Sequence, residues 1–400
     1  MYQELANKYG TPLYVYDFNQ IEKQFTNLKE AFKARKSLVC YAVKANSNLS
    51  VLNHLKELGA GCDCVSIGEV KRALQVGVAK YKIIFSGVGK RDDEILEALK
   101  QDILMINIES EEEMGRVEAI SKELGKKARI SIRVNPNIDP KTHPYISTGL
   151  HESKFGVEIE VAKRLYLRAR ESKSLDPIGI HFHIGSQITD LSTFEEASRI
   201  VSDLARSLIS LKIEIKFFNV GGGVGIKYTD EKPIELYDYA QAIYKNLHGL
   251  DITLVCEPGR TLVGNAGVFL TKVLYEKFNS DKRFVIVDGA MNDLLRPSLY
   301  RVSHKMKVLG SEDKKKSVCD VVGPVCESGD FFAKDILMPR VKSGDLIIIE
   351  GAGAYCFSMS SNYNTREKVA EVALVDGKDR LIRKRDSFED MIKNEIECIS

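Results

Sequence analysis

The sequence contains no tryptophan, and it is poor in proline and cysteine, with 10 and 8 residues respectively in a chain of 400. So few cysteines exclude a disulfide scaffold and favour the reducing cytoplasm. No apolar run approaches the roughly 18 residues that a membrane helix needs, and the N-terminus lacks a signal-peptide pattern. The formal net charge of +2 provides no basic excess for nucleic acid or acidic membranes. The sequence therefore predicts a cytoplasmic protein that binds neither membranes nor nucleic acid.

The remaining composition is that of an ordinary folded protein. Hydrophobic residues make up 44% and charged residues 28%, which argues against disorder. At roughly 100–200 residues per domain, the length allows two to four domains. The 29 glycines imply many tight backbone sites. Composition bounds the class of protein in this way but indicates no function.

Up to residue 260, short apolar strands alternate with amphipathic helical stretches. Eight strands are predicted, at 38–43, 61–65, 83–86, 104–108, 130–135, 178–183, 217–220 and 254–257. Strands that are apolar on both faces and separated by helices imply a parallel sheet with right-handed crossovers. Eight such strands are the number that closes a (β/α)8 barrel, and a doubly wound open sheet is the competing interpretation.

Beyond residue 262 the pattern becomes one of strands and turns with few helices. Strands are predicted at 268–274, 284–287, 317–322, 346–349, 368–375 and 380–384, and another at 12–16. This pattern is typical of an antiparallel sandwich or barrel. The predicted fold class is α/β, with a TIM-like (β/α)8 barrel at 17–262 followed by a mainly antiparallel β domain at 263–400. Residues 1–16 are assigned to that second domain.

Candidate functional residues of such a barrel lie where its strands end. The first strand ends in YAVKAN at 41–46, where Lys44 closes an apolar run. Surface lysines are far commoner, but this position predicts a desolvated amine, which Schiff-base chemistry requires. Asp63 lies in the second strand between Cys62 and Cys64, a pair for which small apolar packing is favoured over metal binding. Arg133 ends the fifth strand, where its charge predicts a buried partner.

The later strands end in groups suited to a flat, phosphorylated ligand. His181 and His183 share a strand face, and with no third ligand in view they favour stacking over zinc binding. The glycines at 221–223 and 225 do not match GxGxxG because position 226 is Ile, but their N–H groups suit a phosphate; a flexible loop is an equal alternative. Glu257 and Arg260 flank a Pro-Gly turn. Together these groups predict pyridoxal phosphate, which needs an amine, a ring support, a phosphate site and a carboxylate.

With these motifs the sequence resembles the fold type III pyridoxal-phosphate-dependent decarboxylases, which act on ornithine, lysine, arginine or diaminopimelate. The resemblance extends over nearly the whole chain. It rests on YAVKAN at 41–46, SKFG at 153–156, HFHIGSQ at 181–187, GGG at 221–223, EPGR at 257–260, RPSLY at 296–300, CESGD at 326–330 and GAGAY at 351–355. It implies a cofactor-binding barrel followed by a β domain.

The resemblance also implies roles for individual residues. Lys44 would carry the cofactor as an internal aldimine, His183 would stack on its pyridine ring, and Glu257 would pair with the pyridinium nitrogen. Asp63 and Arg133 would support the lysine and the ring. The phosphate would be held by Ser186, Gly222, Gly223, Gly259, Arg260 and Tyr355.

The C-terminal motifs imply the substrate class. Arg260, Arg296 and Tyr300 would bind a remote carboxylate, with Tyr355 beside the substrate, and Glu327 would meet a remote ammonium. These groups favour decarboxylation of meso-2,6-diaminopimelate, through a quinonoid, to L-lysine and CO2, the last step of lysine biosynthesis. An ornithine-type enzyme needs no clamp for a remote carboxylate.

Further implications concern proton return, assembly and a mobile loop. Cys326 would return the proton, with Lys44 as its competitor, and the cysteine segment would reach the partner's site in a homodimer. Residues 138–155 would form a lid near the site. The alternatives are an ornithine or arginine decarboxylase, an amino-acid racemase, a non-catalytic regulatory protein of the same fold, and a metal-dependent hydrolase using His181 and His183.

Overall fold

The computed structural model describes the whole chain except residues 141, 144, 145, 147, 150–152, 310–314 and 400. The chain divides into two compact units. The barrel unit comprises Glu22–Ile226 and Lys232–Thr261. The β unit comprises Met1–Ile21, Lys227–Glu231 and Leu262–Ser400, so that a five-residue segment from within the barrel sequence groups with the C-terminal residues.

The N-terminal residues form the first elements of the β unit. Helix α1 (Tyr2–Tyr9) is followed by strand β1 (Leu13–Asp17), which realises the strand predicted at 12–16. Leu5 of α1 packs into the same apolar cluster as Leu13 and Val15 of β1. Helix α2 (Phe18–Ala31) then leads into the barrel unit.

Eight parallel strands in the described chain close into a barrel. They are β2 (Ser37–Ala42), β3 (Gly61–Cys64), β4 (Ile83–Phe85), β5 (Met105–Ile108), β6 (Ala128–Arg133), β7 (Leu175–His181), β8 (Phe217–Asn219) and β9 (Thr253–Cys256). Each strand pairs with the next, and β2 pairs with β9. The predicted (β/α)8 barrel is therefore confirmed, and the open doubly wound sheet is excluded.

Helices follow the barrel strands, as the sequence pattern predicts. They are α3 (Leu49–Glu57), α4 (Ile67–Gln75), α5 (Asp92–Gln101), α6 (Glu111–Glu123), α7 (Ile159–Glu171), α8 (Leu191–Ser210), α9 (Leu236–Tyr244) and α10 (Arg260–Val263). Two of them begin at Ser-x-x-Glu sequences, where the Oγ atoms of Ser66 and Ser110 accept the N–H groups of Glu69 and Glu113. Each glutamate in turn accepts the N–H of the residue before the serine. These reciprocal caps fix where α4 and α6 begin.

The remaining elements complete the β unit. They are β10 (Gly267–Asn279), β11 (Lys282–Val287), α11 (Arg296–Tyr300), β12 (Met306–Leu309), β13 (Lys316–Val322), β14 (Phe331–Pro339), β15 (Leu346–Ile349), β16 (Ala370–Val375), β17 (Lys378–Arg383) and α12 (Phe388–Ile396). The strands form one sheet in the order β14-β13-β11-β10-β1-β16-β17, with β15 pairing β10 and β12.

Strand pairing in the β unit is mainly antiparallel, as predicted. Two pairs, β1 with β16 and β11 with β13, are parallel. Strands β12 and β14 and the terminal helices α1 and α12 were not predicted from the sequence. In the described residues, no helix combines the length and apolar character that crossing a membrane requires.

The hydroxyl of a buried tyrosine bonds to backbone groups of β6 and β7 where the register between these strands shifts. Pro177 lies within β7 and has no N–H to donate, and the register between the strands shifts beside it. The Tyr166 hydroxyl of α7 accepts the N–H of Ile132 at 3.3 Å and donates to the Gly179 carbonyl at 2.6 Å. One side chain thus satisfies backbone groups of both strands, which would otherwise be buried and unpaired.

We therefore expect Tyr166→Phe to lower the free energy of unfolding by about 1–3 kcal/mol, the usual cost of leaving buried polar groups unpaired. Urea unfolding followed by circular dichroism measures the change. Tyr81→Phe is the matched control, because Tyr81 is 69% exposed and its hydroxyl can bond to water. Equal effects of the two substitutions would contradict the structural role of the Tyr166 hydroxyl.

Candidate active site

The carboxyl ends of the barrel strands carry most of the polar residues singled out in the sequence. Because the strands are parallel, these ends lie on one rim of the barrel. Arg133 ends β6, His181 ends β7 and Asn219 ends β8, and the strand register pairs Arg133 with His181 and His181 with Asn219. Glu257 directly follows β9. Residues distant in sequence are thereby brought to one place.

Lys44 lies at this rim, but its side chain is exposed. The expectation of a buried amine is therefore wrong. The reason is that β2 ends at Ala42, so Lys44 falls in the 3₁₀ turn at Val43–Ala45 and not within the strand. Its positive charge nonetheless acts on the site. Burial raises the pKa values of Asp63, Glu69 and Glu257, and the charge of Lys44 opposes this rise.

Glu257 is a buried carboxylate whose two oxygens both have partners. Asn219 donates from Nδ2 to Oε1 at 2.5 Å, and His181 Nε2 lies 3.2 Å from Oε2. Burial opposes the charged form, but His181, the Asn219 hydrogen bond and Lys44 outweigh it and hold the pKa of Glu257 below its ordinary value. Glu257 is therefore an anion at neutral pH.

Asp63 is a second buried carboxylate in the same barrel, and its environment acts in the opposite direction. Ser86 Oγ donates to Asp63 Oδ1 at 2.5 Å, and Asn107 Nδ2 donates to Ser86 Oγ at 2.9 Å. Burial and the charge of Glu257 raise the pKa of Asp63 to about 7, although Lys44 and Ser86 oppose the rise. The environments of the two carboxylates therefore shift their pKa values in opposite directions.

Arg133 has the buried partner that its position predicts. Its Nη1 lies 3.2 Å from Glu109 Oε2, and both side chains are almost completely buried. Glu109 also accepts the N–H groups of Gly87 and Gly156. Burial opposes its ionisation, yet Arg133 and Lys90 keep the pKa of Glu109 below its ordinary value. Glu109 was not singled out from the sequence, although it directly follows β5.

Arg133 also connects this ion pair to His183. Its Nη2 donates to the His183 carbonyl at 3.2 Å, and its guanidinium lies 4.7 Å from the centre of the Phe155 ring. Loss of hydration, together with the charges of Arg133 and Lys44, holds the pKa of His183 well below its ordinary value. The Gly222 N–H donates to His183 Nδ1 at 3.1 Å, so the neutral imidazole carries its proton on Nε2.

The glycine segment after β8 packs against two neighbouring loops. A side chain on Gly222 would place Cβ 2.2 Å from the Glu257 carbonyl oxygen, and one on Gly223 would place it 2.3 Å from the Gly185 oxygen. Both distances are far inside contact, so only glycine fits. The run at 221–223 is therefore a tightly fitted turn beside Glu257 and the loop that follows His183, and the flexible-loop alternative does not describe it.

Arg260 and Ser186 meet near this turn. Arg260 is buried, and its Nη2 donates to Ser186 Oγ at 3.1 Å. Gly259 immediately precedes Arg260, at the start of α10. The barrel unit thereby brings a guanidinium and a hydroxyl together beside a glycine-rich turn, a combination suited to an anion.

Arg296 is the central polar residue of a separate cluster in the β unit. It is buried at the start of α11; its Nε lies 3.4 Å from His304 Nε2, and its guanidinium lies 4.5 Å from the centre of the Tyr228 ring. His304 Nδ1 donates to the Glu350 carbonyl at 2.8 Å, which leaves Nε2 free of a proton and able to accept from Arg296. Arg296 Nη1 is buried without a hydrogen-bond partner among the residues described.

Tyr300 belongs to the same turn as Arg296, and the two side chains are in contact. The Tyr300 ring centre lies 5.8 Å from the Arg296 guanidinium. Tyr228 and His304 were not singled out from the sequence. A lone histidine and a lone tyrosine carry no motif, so only the folded chain reveals that they flank the arginine.

The remaining predicted residues of the β unit are more accessible. Cys326 and Glu327 are exposed, and the Cys326 N–H donates to Asn364 Oδ1 at 2.9 Å. The buried carboxylate of Asp330 accepts the N–H of Val325, which fixes the start of this loop. Tyr355 is partly buried and has a left-handed backbone, with φ 57°.

The predicted lid at 138–155 lies partly outside the described residues. In the part described, Ile138 N–H donates to the Gly149 carbonyl, and Thr148 Oγ1 donates to the His183 carbonyl at 2.9 Å. The lid role stays a prediction. Within the described ranges, no group of three or more His, Cys, Asp or Glu side chains is arranged to hold a metal ion.

Residues 18–264 match the family model described as the pyridoxal binding domain of pyridoxal-dependent decarboxylases. The chain belongs to this family. Among similar proteins are the diaminopimelate decarboxylase of Campylobacter jejuni, 59% identical over 98% of this chain and 97% of that protein, and that of Helicobacter pylori strain J99, 56% identical over 99% and 98%.

Comparison with solved structures supports the same family assignment. The crystal structure of diaminopimelate decarboxylase from Helicobacter pylori complexed with L-lysine has a TM-score of 0.97, 55% sequence identity and full coverage of both chains. A lysine/ornithine decarboxylase from Vibrio vulnificus has a TM-score of 0.83 at 22% identity, and this likeness is one of fold alone. The same fold therefore occurs at low sequence identity.

The raised pKa of Asp63 predicts a pH-dependent stability. The folded state keeps the Asp63 proton up to about pH 7, whereas an unfolded aspartate loses it near its ordinary pKa of 3.8. Stability from this group is therefore greatest below pH 4 and is lost as the pH rises through 7. Asp63→Asn, which keeps an acceptor for Ser86, should remove this loss.

We expect the variant to gain on the order of 2 kcal/mol relative to the native sequence when the pH is raised from 5 to 8. Urea unfolding of both cofactor-free proteins at the two pH values measures the gain. Asp293, whose burial also raises its pKa to about 7, is present in both proteins and cancels in the difference. A stability difference independent of pH would contradict the Asp63 assignment.

Proposed function

We propose that this chain uses pyridoxal phosphate to decarboxylate meso-2,6-diaminopimelate to L-lysine and CO2. Family membership and the close relatives, all diaminopimelate decarboxylases over nearly their full length, support the reaction. The observation that carries the proposal is the set formed by Lys44, neutral His183 and ionised Glu257 on one rim of the barrel. An amine, a flat uncharged ring and an anion are the groups that this cofactor requires.

The residues of the barrel rim fit the cofactor by their chemistry. When bound, pyridoxal phosphate supplies an electron sink for the pair released when the carboxylate leaves. Lys44 would hold the cofactor through its ε-amino group. Glu257 would keep a proton on the ring nitrogen, because an anion held by His181 and Asn219 accepts a strong hydrogen bond there. His183, being neutral, would support the ring without opposing that proton.

The phosphate would be bound by the groups around the glycine turn. The Gly222 N–H already donates to His183, so we assign Gly222 to shaping the turn. The backbone of Gly223 and Gly259 and the Ser186 hydroxyl would bind the phosphate oxygens, with Arg260 supplying positive charge through its contact with Ser186. Tyr355 would add a hydroxyl from the β unit.

Arg296 would bind the substrate carboxylate that is not lost. His304 and Tyr228 hold its guanidinium, and a buried Nη1 without a partner among the described residues can donate to a ligand oxygen. Tyr300 would contribute beside it, and Arg260 would complete the carboxylate site. Glu327 would bind the remote ammonium. Ornithine, which has no second carboxylate, would leave the buried Nη1 of Arg296 without a ligand oxygen.

Proton return to Cα requires a donor near the reacting atom. Cys326 is the proposed donor, and the Lys44 amine is the competing one. Exposure of Cys326 in a single chain suits a segment that completes the site of a second copy, and the homodimer with shared sites stays a proposal. The cytoplasmic location is likewise still a prediction.

Borohydride reduction tests the cofactor assignment directly. We expect peptide mapping of the reduced protein to locate a pyridoxyl group on Lys44. Lys44→Ala should remove this adduct, whereas Lys56→Ala, a control on the outer helix α3, should retain it. A reduced protein with no adduct, or with an adduct at another lysine, would refute the assignment.

Arg296→Ala should lower kcat/KM for diaminopimelate at least about 30-fold, corresponding to about 2 kcal/mol for loss of a charged hydrogen-bond partner. Its content of bound pyridoxal phosphate should not change, because Arg296 is assigned to substrate. Arg301→Ala is the control, since Arg301 is exposed at the end of the same turn. A parallel loss of cofactor and activity would show that Arg296 is not a specific carboxylate ligand.

The substrate is identified by product analysis. Release of L-lysine from meso-diaminopimelate, with little turnover of ornithine or arginine, is expected. Turnover of ornithine at a comparable kcat/KM would instead favour the polyamine branch of the family.

A further inference from the structure

His181 is a buried histidine for which the proposed reaction so far has only an indirect use. It is 2% exposed at the last position of β7, between Arg133 on β6 and Asn219 on β8. A polar side chain buried at the centre of a barrel is costly unless its partners compensate for lost hydration. Nε2 of His181 lies within hydrogen-bonding distance of the Glu257 carboxylate, which is therefore the group that His181 can act on.

His181 and Asn219 hold the Glu257 carboxylate from two sides. Nε2 of His181 lies 3.2 Å from Oε2, and Nδ2 of Asn219 lies 2.5 Å from Oε1. The amide oxygen of Asn219 accepts the Gly221 N–H at 2.9 Å, and the Glu257 N–H donates to the Gly221 carbonyl at 2.7 Å. Side chain and backbone of Glu257 are therefore tied to the same turn.

We propose that His181 is a positioning residue, which together with Asn219 orients Glu257 and keeps it ionised so that Glu257 can hold a proton on the cofactor ring nitrogen. This inference rests on the proposed cofactor and on the proposed role of Glu257. It assigns to the first histidine of HFHIGSQ a task different from that of His183, the ring support. The two histidines of one motif thus act on the cofactor from different directions, one through a carboxylate and one by contact.

Electrostatics explains why Asn219 alone does not suffice. Groups that influence or feel the Glu257 charge are Lys44, Asp63, Cys40, Cys256, Tyr239 and His181. Burial raises the pKa values of the two thiols and the phenol, so these three groups are uncharged. Asp63 disfavours a second anion and the Lys44 amine would be bound to the cofactor. Among these groups, His181 is then the one that can stabilise the Glu257 anion in addition to the hydrogen bond from Asn219.

A matched pair of substitutions separates this role from simple packing. In His181→Gln, the amide nitrogen can take the place of Nε2 and reach Glu257. In His181→Asn, the side chain is equally polar but one carbon shorter, so its amide corresponds to Nδ1 and falls short of Glu257. His54→Asn is the control, because His54 lies 3.9 Å from Glu22 in a surface contact away from the rim.

The measurement is the ¹⁵N chemical shift of the ring nitrogen in each holoprotein loaded with ¹⁵N-labelled pyridoxal phosphate, recorded between pH 6 and 9. We expect a protonated ring nitrogen throughout in the native protein, in His54→Asn and in His181→Gln. In His181→Asn, deprotonation should occur at least tenfold more readily, which is one pH unit lower. Its kcat should fall about tenfold or more while KM for diaminopimelate stays within twofold.

The outcomes are distinguishable. If His181→Asn keeps the native shift, or if the Gln and Asn variants change equally, His181 does not act through its reach to Glu257 and the inference is wrong. If His181→Asn does not bind cofactor, His181→Gln decides: a native shift and activity support the inference, and a loss of either contradicts it. If the native protein itself binds no cofactor, the proposed function is wrong. If it binds the cofactor but its ring nitrogen is unprotonated, the proposed role of Glu257 is wrong.

Discussion

Closure of the barrel is the constraint on which the rest of the site depends. A closed ring of parallel strands places every strand's carboxyl end on one rim, so the side chains there are neighbours whatever their separation in sequence. The register that pairs Arg133 with His181 and His181 with Asn219 is a direct result. Because burial removes the hydration of charged groups, the buried side chains of Arg133 and Glu257 on this rim each need a specific partner. The rim is therefore a network of paired groups, and the position of one member fixes the next.

The two buried carboxylates show how this network sets charge. Asp63 and Glu257 share one low-dielectric interior, and each makes ionisation of the other harder. Burial opposes the ionisation of both groups, but His181 at 3.2 Å, the Asn219 hydrogen bond and Lys44 lower the pKa of Glu257. Burial and the charge of Glu257 instead raise the pKa of Asp63 to about 7. Below pH 7 the pair therefore carries mainly the single negative charge of Glu257, close to the positive charge of Lys44. The charged and polar neighbours of each group, and not burial alone, decide which carboxylate remains an anion.

Much of this fold could be predicted, because the apolar runs that form the strands, and their alternation with helices, can be recognised in short stretches of sequence. All eight barrel strands coincide with apolar runs of the sequence, and the polar residues at several strand ends, such as Arg133 and Glu257, were visible beside these runs. Burial was less predictable: Lys44 was predicted to close a strand, but β2 ends two residues earlier and the side chain is exposed. Strand β14 was missed because FFAKDILMP places two charged residues within its apolar run, and its pairing with β13 supplies what its own pattern lacks.

Partnerships across the fold were the least predictable part of the site. Glu109 and Arg133 form a buried ion pair from two neighbouring strands, yet only the arginine is conspicuous in sequence. A charge in an apolar run indicates that some partner exists, whereas the partner itself sits just past a strand end, where charged residues are common. His304 and Tyr228 likewise belong to segments without a motif. Such residues become recognisable only when the chain brings them to a group that could not be buried alone.

In each unit, a buried histidine contacts a buried charged group. In the barrel unit, His181 contacts the Glu257 carboxylate; in the β unit, His304 contacts the Arg296 guanidinium and is itself oriented by the Glu350 carbonyl. Imidazole suits both tasks because one nitrogen can donate while the other accepts, so the same residue type can serve an anion or a cation. For Arg296 the backbone carbonyl selects the tautomer that accepts. Fixing a charged group through a buried, oriented ring limits its motion before any ligand arrives, and a ligand then loses less entropy in pairing with it.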